Sequence, residues 1–299
     1  MATTVNLDSS YAGAVAGEYI HAAFLSAESL NAITVKENIA WEQKVQRLTD
    51  SATTFGGDSC TFTPTGTIDL SERVITLVPM TYNRTLCKPD FYEDWEALAA
   101  QNGDITKVGD ALVTTMMGNI GQITEKMIWQ GTAGTGSFAG FQTLFAAVDS
   151  GVIDAGGVEI TEDNVLDTFK AVVSALPVRV RRAAEKPVLF VSSDVAEFYR
   201  NAIPHIGAGA YLPQGVEVVM KWNGQYDIVE CPGMKDQSIV FAQKSNLWFG
   251  TNKNSDRNNI VVKDMSDVTL DNQVRFGSRF FGGCQFGFGE EIAYYNYSA

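Results

Sequence analysis

The sequence is poor in the residues that usually carry chemistry. It has two histidines, His21 and His205, and four cysteines with no CxxC pair. Without HExxH or paired thiolates, a zinc centre would have to be built from dispersed carboxylates. Cys60, Cys87, Cys231 and Cys284 are too scattered to read as a disulfide framework, so buried free thiols are expected. No run approaches the ~20 apolar residues needed to cross a bilayer as a helix. Met1 to Ser10 lacks the basic-then-apolar order of a secretory leader, so cytosolic synthesis is the expectation. The sequons at Asn83 and Asn296 then carry no meaning. Positive charge is scarce too: 22 basic against 35 acidic side chains give a net charge of −13. Such a chain is repelled by a phosphate backbone, which argues against tight nucleic-acid binding.

The motifs of catalysis are missing as well. The Gly-rich segment from Gly131 to Gly140 contains GxGxxxG, which is not the dinucleotide fingerprint. It also follows a predicted helix, where that fingerprint needs a strand, so a turn is the reading. No GxxxxGK[ST] phosphate loop and no GxSxG elbow occurs. Glu290 and Glu291 are adjacent and, on a strand, would point to opposite faces, which prevents them from acting as a paired acid and base. His205, between Pro204 and Ile206, reads as a loop or packing residue. No catalytic, cofactor-binding or metal-binding residue is therefore expected, and the chain reads as a non-enzyme.

What is present is enough apolar material for a core: 45% of 299 residues are hydrophobic. Glu28 to Arg47 mixes Leu30, Ile33, Ile39, Trp41 and Val45 with charges and is expected to be helical in part. Thr61 to Thr63 and Thr67 to Val78 flank Pro64-Thr65-Gly66, which predicts a β-hairpin. Its second run alternates only in part, so it has no single dry face of its own. Phe91 to Ala100 reads as a short helix. The longest helix is predicted over Ile105 to Gln130, with Val108, Leu112, Met116, Ile120, Ile123, Met127 and Gln130 on one face. It would be roughly 39 Å long. Gly118 and Gly121 inside it suggest a close backbone crossing. Another helix runs from a Thr161 cap through Val165, Phe169, Val172 and Leu176 to Pro177. Pro187 to Val191 is an apolar strand, and Asp194 with Glu197 predicts a capping box opening a helix through Phe198 and Tyr199. Val216 to Trp222 and Gln225 to Cys231 flank Asn223-Gly224, the strongest short hairpin signal. Ser238 to Ala242, Ile260 to Lys263 and much of Gln273 to Tyr295 are predicted strands. Helices and strands mix without βαβ alternation, so the expected class is α+β.

One basic cluster, Arg179, Arg181, Arg182 and Lys186, stands out in this acidic chain. It reads first as solvated surface and second as a patch facing a protein partner, since Arg meets carboxylates bidentately.

The order of parts resembles the major capsid proteins of tailed phages with the Hong Kong 97 phage-like fold. The resemblance is carried by IWQGTAGTGSFAGF (Ile128 to Phe141), PVLFVSSDVAEFYRN (Pro187 to Asn201), CKPDFYEDW (Cys87 to Trp95) and the rhythm of Leu270 to Tyr295. It implies an N-terminal arm over 1–50 and an extended loop over 51–88. A peripheral domain with a spine helix follows over 89–157, completed by about 251–299, and an axial domain spans 158–250. It further implies a structural subunit that self-assembles through hexamers and pentamers into an icosahedral shell enclosing double-stranded DNA, as part of a virion. The acidic balance fits a wall that lies beside packaged DNA without gripping it. Portal, scaffolding or decoration proteins are the implied partners; no cofactor and no membrane is implied. The residues expected at subunit contacts are Phe62, Ile68, Leu70, Arg73 and Val74 of the hairpin and Arg179, Arg181 and Arg182 of the basic cluster. No fused scaffolding segment is expected ahead of the arm. The loop from Ser51 to Leu86 has no Lys, so lysine crosslinking is not carried over. The alternatives are an encapsulin-like cargo compartment, which shares the fold, and a β-rich binding protein.

Overall fold

The computed structural model describes residues 9–12, 28–50, 55, 57, 61, 66–87, 106–147, 150–206, 221–222, 224–252, 259–265 and 268–297. The chain begins with β1 (Ser9–Ala12), a 3₁₀ turn at Glu28–Ala32 and β2 (Thr34–Lys36). Strands β3 (Glu42–Asp50) and β4 (Ile68–Thr76) pair antiparallel along their whole length, from Glu42↔Thr76 to Asp50↔Ile68. The expectation of helix over 28–47 is thereby corrected. Its apolar residues serve three separate environments, so no helical period exists to hold one together: Leu30 and Ile33 belong to the main core, Ile39 to a smaller one, and Trp41 is exposed. The hairpin partner of β4 is correspondingly β3, upstream of the predicted Thr61 to Thr63; Phe62 to Thr65 lie outside the described residues. After Leu77 comes β5 (Val78–Cys87); the predicted helix over 91–100 also lies outside the described residues.

Helix α1 (Thr106–Gln130) matches the predicted spine, but its buried face is turned by about one position. Met117, Ile120, Thr124 and Ile128 are buried together with Glu125 and Trp129, while Ile123 is exposed. Stepping by three or four cannot separate two adjoining stripes; the bulk of Trp129, which needs a dry site, decides between them. Nor does any backbone among the described residues cross at Gly118, where an added Cβ would meet nothing within 4 Å.

The segment after α1 is a turn. Gly131 N–H donates to Met127 O (3.0 Å), Gly140 N–H donates to Gly131 O (2.8 Å), and Gly136 has φ +75°. A Cβ on Gly140 would lie 2.6 Å from both Met127 O and Trp129 O, so the chain doubles back on the helix end too closely for a side chain. Then follow α2 (Phe141–Phe145), β6 (Ile153–Asp154), α3 (Val165–Ala175), α4 (Val178–Arg181), β7 (Val188–Val191), α5 (Ser193–Ile206), β8 (Lys221–Trp222), β9 (Tyr226–Glu230) and β10 (Ser238–Ala242). The cap of α3 is Asn164, not Thr161: a turn intervenes, and the Asn164 side chain accepts from Thr161 N–H (2.8 Å) and donates to Glu159 O (2.7 Å). The Asp194–Glu197 box does not form either. Asp194 accepts instead from Gln237 N–H (2.8 Å), across to the strand next door, and Glu197 is exposed. His205 falls in the last turn of α5. At Gly224, φ +69° provides the turn between β8 and β9.

The chain ends with β11 (Leu247–Thr251), β12 (Asn259–Asp264), β13 (Gln273–Phe286) and β14 (Ala293–Asn296). One sheet has the order β1-β12-β13-β11-β2, with β5 also pairing β13 along ten residues, Gln273↔Cys87 to Gly282↔Val78. The other has the order β6-β14-β10-β7-β9-β8. This second sheet divides the interior. Val188, Phe190, Val240 and Ala242 enter the core beneath α1, and Leu189, Val191, Ile239 and Phe241 enter the core beneath α3 and α5. Being dry on both faces explains why β7 and β10 are continuous apolar runs. In the first core Trp129 packs on Phe141 and Phe190, with ring centroids 5.5 and 5.7 Å away. The α+β class holds.

Candidate assembly surface

The ribbon β3–β4 changes character along its length. At its root Ile75 and Leu77 are fully buried with Ile39, Trp248 and Phe281. The root crosses β13 so closely that a Cβ on Gly283 would collide with Thr76 O. Two polar ties sit just above: Gln285 Nε2 donates to Val74 O (3.1 Å), and Arg73 Nη2 donates to Ser150 O (3.1 Å). The Arg73 guanidinium also stacks over Phe286, 4.2 Å from the ring centroid. Partial burial lowers the pKa of Arg73 from its ordinary value. Its site is a pocket of about 410 Å³ lined by Val45, Ser150, Trp248, Phe288 and Glu290 among others.

Beyond Arg73 the described residues give the ribbon no floor. Ile68 is 70% exposed and Leu70 60% exposed, and Leu48 is the register partner of Leu70. Lys44 Nζ and Glu72 Oε1, 3.0 Å apart, form an exposed ion pair across the strands. Such a pair contributes at most about 1 kcal/mol. The burial gradient along one strand, from Ile75 to Ile68, thus separates a fixed root from an uncovered tip. Val74 sits half-buried at the boundary. Of the predicted contact residues, Ile68 and Leu70 are exposed, Arg73 and Val74 are half-buried beside the root, and Phe62 lies outside the described residues.

The arginine cluster is elsewhere, on and after α4. Arg179 is already engaged within the chain, 3.5 Å from Glu291 and 3.6 Å from Glu290. These two carboxylates lie on a 3₁₀ turn, Gly289–Glu291, so they converge on one cation where a strand would have sent them apart. Arg182 is exposed, and Arg181 is half-buried with its Nε unpartnered. The structure does not bring this cluster to the ribbon tip. The root core and β3 itself escaped the sequence reading, because the run from Gln43 to Thr49 is mostly good helix formers and only Val45 and Thr49 favour a strand. No group of three or more metal-ligating side chains occurs among the described residues, and no helix there is long and apolar enough to cross a membrane.

The fold as a whole recurs in solved structures. The capsid of a native GTA particle matches with a TM-score of 0.58 at 14% identity, over 92% of this chain and 91% of that one. The chain has the phage capsid fold. The satellite phage P4 procapsid, which includes a size determination protein, matches this capsid fold with a TM-score of 0.59 at 10% identity, over 93% of this chain and 89% of that one. The virus-like particle from Pyrococcus furiosus matches with a TM-score of 0.51 at 10% identity, over 93% and 96%. No family model and no curated protein matches the sequence. The capsid fold is therefore shared in three dimensions where sequence identity has been lost.

Proposed function

We propose that the chain is the major capsid subunit of a tailed phage or kindred particle, assembling through hexamers and pentamers into an icosahedral shell around double-stranded DNA. The observation that carries this reading is the ribbon: a rigid root in a capsid fold holds Ile68 and Leu70 out in water, where a second copy would cover them. In this reading residues 1–50 are an arm, 51–88 an extended loop, 89–157 with 251–299 a peripheral domain, and 158–250 an axial domain. The ribbon as paired would move the start of the extended loop to Glu42. The role is structural rather than catalytic. A net charge of −13 suits a wall that excludes adhesion to packaged DNA. Portal, scaffolding or decoration proteins would join the same surface.

A second reading, an encapsulin-like cargo compartment shell, would share the same fold. Expression of the chain alone, size-exclusion chromatography and negative-stain electron microscopy of the excluded fraction test both. Closed shells or capsomer rings support the shell role, and shell diameter separates phage-sized from compartment-sized assemblies. A folded monomer at high concentration, with crowding agents present, would overturn both.

A further inference from the structure

The cavity at the ribbon root has walls from two parts of the molecule. Gln46, Ser71 and Arg73 line it from the two ribbon strands, and Ser150, Trp248 and Phe288 line it from the body. Its volume is about 410 Å³. Anything bound there touches ribbon and body at once, and so fixes the angle between them.

The charge around this cavity is unbalanced. Arg73 meets a neutral carbonyl, Ser150 O, and a ring face, Phe286. No carboxylate forms an ion pair with it among the described residues. A guanidinium has five N–H donors, and the bond to Ser150 O uses one of them. Partners are not scarce in a chain with 35 acidic side chains against 22 basic ones. Lys36 is a second such cation. Its Nζ lies 4.4 Å from the centroid of Trp248, the ring that forms one wall, and it too has no carboxylate partner among the described residues. Burial lowers its pKa from the ordinary value, as it does for Arg73. Two carboxylates, Glu72 and Glu290, stand on the lining, and each is engaged with a different cation. Glu72 lies 3.0 Å from Lys44 Nζ, and Glu290 lies 3.6 Å from Arg179 Nη2.

We propose that this cavity is an oxyanion site, in which Arg73 takes a carboxylate or phosphate group through its free N–H groups. The planar fork of a guanidinium matches both groups bidentately. Gln46 and Ser71 supply further donors from the ribbon, and Trp248 and Phe288 supply an apolar wall. A bound oxyanion ties β4 to the body and sets the direction in which the ribbon projects. Ile68 and Leu70 lie on the same strand, so on the shell reading above occupancy of the cavity positions the assembly contact. Binding itself does not rest on that reading.

The full chain is titrated calorimetrically with sodium phosphate and, separately, with sodium citrate, ionic strength being held constant with sodium chloride. Hydrogen–deuterium exchange of residues 42–50 and 68–76 is followed in the same buffers. Expected are a saturating heat signal with one or both anions and slower exchange in both ribbon strands. Citrate alone identifies a carboxylate ligand, and phosphate alone a phosphate ligand. Arg73→Gln should weaken binding at least about tenfold, the loss of a charge-assisted hydrogen-bonded pair. Glu72→Gln removes a negative charge from the lining and should tighten binding about twofold or more, a gain that partial unfolding cannot imitate. Heat that never saturates, or equal affinity in Arg73→Gln, would overturn the proposal. So would binding that leaves exchange in the ribbon unchanged. None of these results bears on the shell role, which is read from the particles.

Discussion

Replacing Ile68 and Leu70 together by serine separates assembly from folding. Fully burying an Ile or Leu side chain is worth about 1.5–3 kcal/mol. At 70% and 60% exposure, each has roughly two thirds of that still to gain, about 1–2 kcal/mol. A neighbour that covers both would lose about 2–4 kcal/mol per contact on the double substitution. At 1.4 kcal/mol per decade this is about a 30- to 700-fold weaker contact. The isolated subunit should hardly notice, because neither side chain is packed in it; surface changes of this kind stay within about 0.5 kcal/mol. The assay is the critical concentration for particle formation by light scattering, beside urea unfolding of the unassembled subunit. Expected are a critical concentration raised at least tenfold and an unchanged unfolding midpoint. As a control, Glu72→Gln breaks the exposed pair with Lys44 on the same ribbon and should change assembly little. A double variant that assembles at the unsubstituted concentration into particles of the same diameter would refute the reasoning. So would a loss of subunit stability, which would mean the tip is packed on its own body.

Gly140→Ala places a methyl 2.6 Å from two carbonyl oxygens at the end of α1 and should cost about 3 kcal/mol in urea unfolding. Ser29→Ala leaves Trp129 Nε1 without its acceptor and Glu125 without a hydroxyl donor. It should destabilise the subunit by about 2–4 kcal/mol, and accelerate proteolysis ahead of residue 34. Burial pushes the phenol of Tyr294 up to about 12, whereas an unfolded tyrosine ionises near 10. Between about pH 10 and 12 the unfolded chain has lost a proton that the folded one keeps, so stability is flat below pH 10 and falls as pH rises above it. Tyr294→Phe should flatten part of that decline in guanidinium titrations at alkaline pH. Burial also raises the thiol of Cys284 well above its ordinary value, while Cys87 is exposed. Mass spectrometry after a brief alkylation should find Cys87 labelled and Cys231 and Cys284 labelled only after denaturation.

The parts legible in the sequence were those whose pattern answers to one environment. Pro187 to Val191 is apolar at every position because β7 is buried on both faces, and Asn223-Gly224 marks a turn that needs positive φ. The length of α1 was readable for the same reason. Segments that answer to several environments were not. Between Leu30 and Val45 the apolar residues are divided among the main core, the root core and open solvent, so their spacing has no period. Strand β5 hid behind Pro79 and a polar run from Thr81 to Thr85. Among the described residues it is an edge of its sheet, paired with β13, and there Pro and outward polar residues are tolerated while Val78, Met80 and Tyr82 turn inward. The use of Asp194 was likewise decided by a partner far along the chain, Gln237, whereas the cap at Asn164 is set locally by Thr161 and Glu159.

The ribbon shows how a sequence feature that looks like a fault becomes informative. A two-stranded hairpin alone in water is marginal, and this one extends past the ties at Arg73 and Val74 with no third strand beside it among the described residues. Apolar residues past that point cannot be explained by the subunit's own core, which ends at Ile75. They could be incidental, since isolated exposed hydrophobics are ordinary. Yet Ile68 and Leu70 lie two apart on one strand, and therefore on one face. The rigid root defines where that face projects. A fixed apolar face, held away from its own core by a buried anchor, costs order without returning burial unless something covers it. In a capsid fold the surface available in equal number to every ribbon is that of another copy.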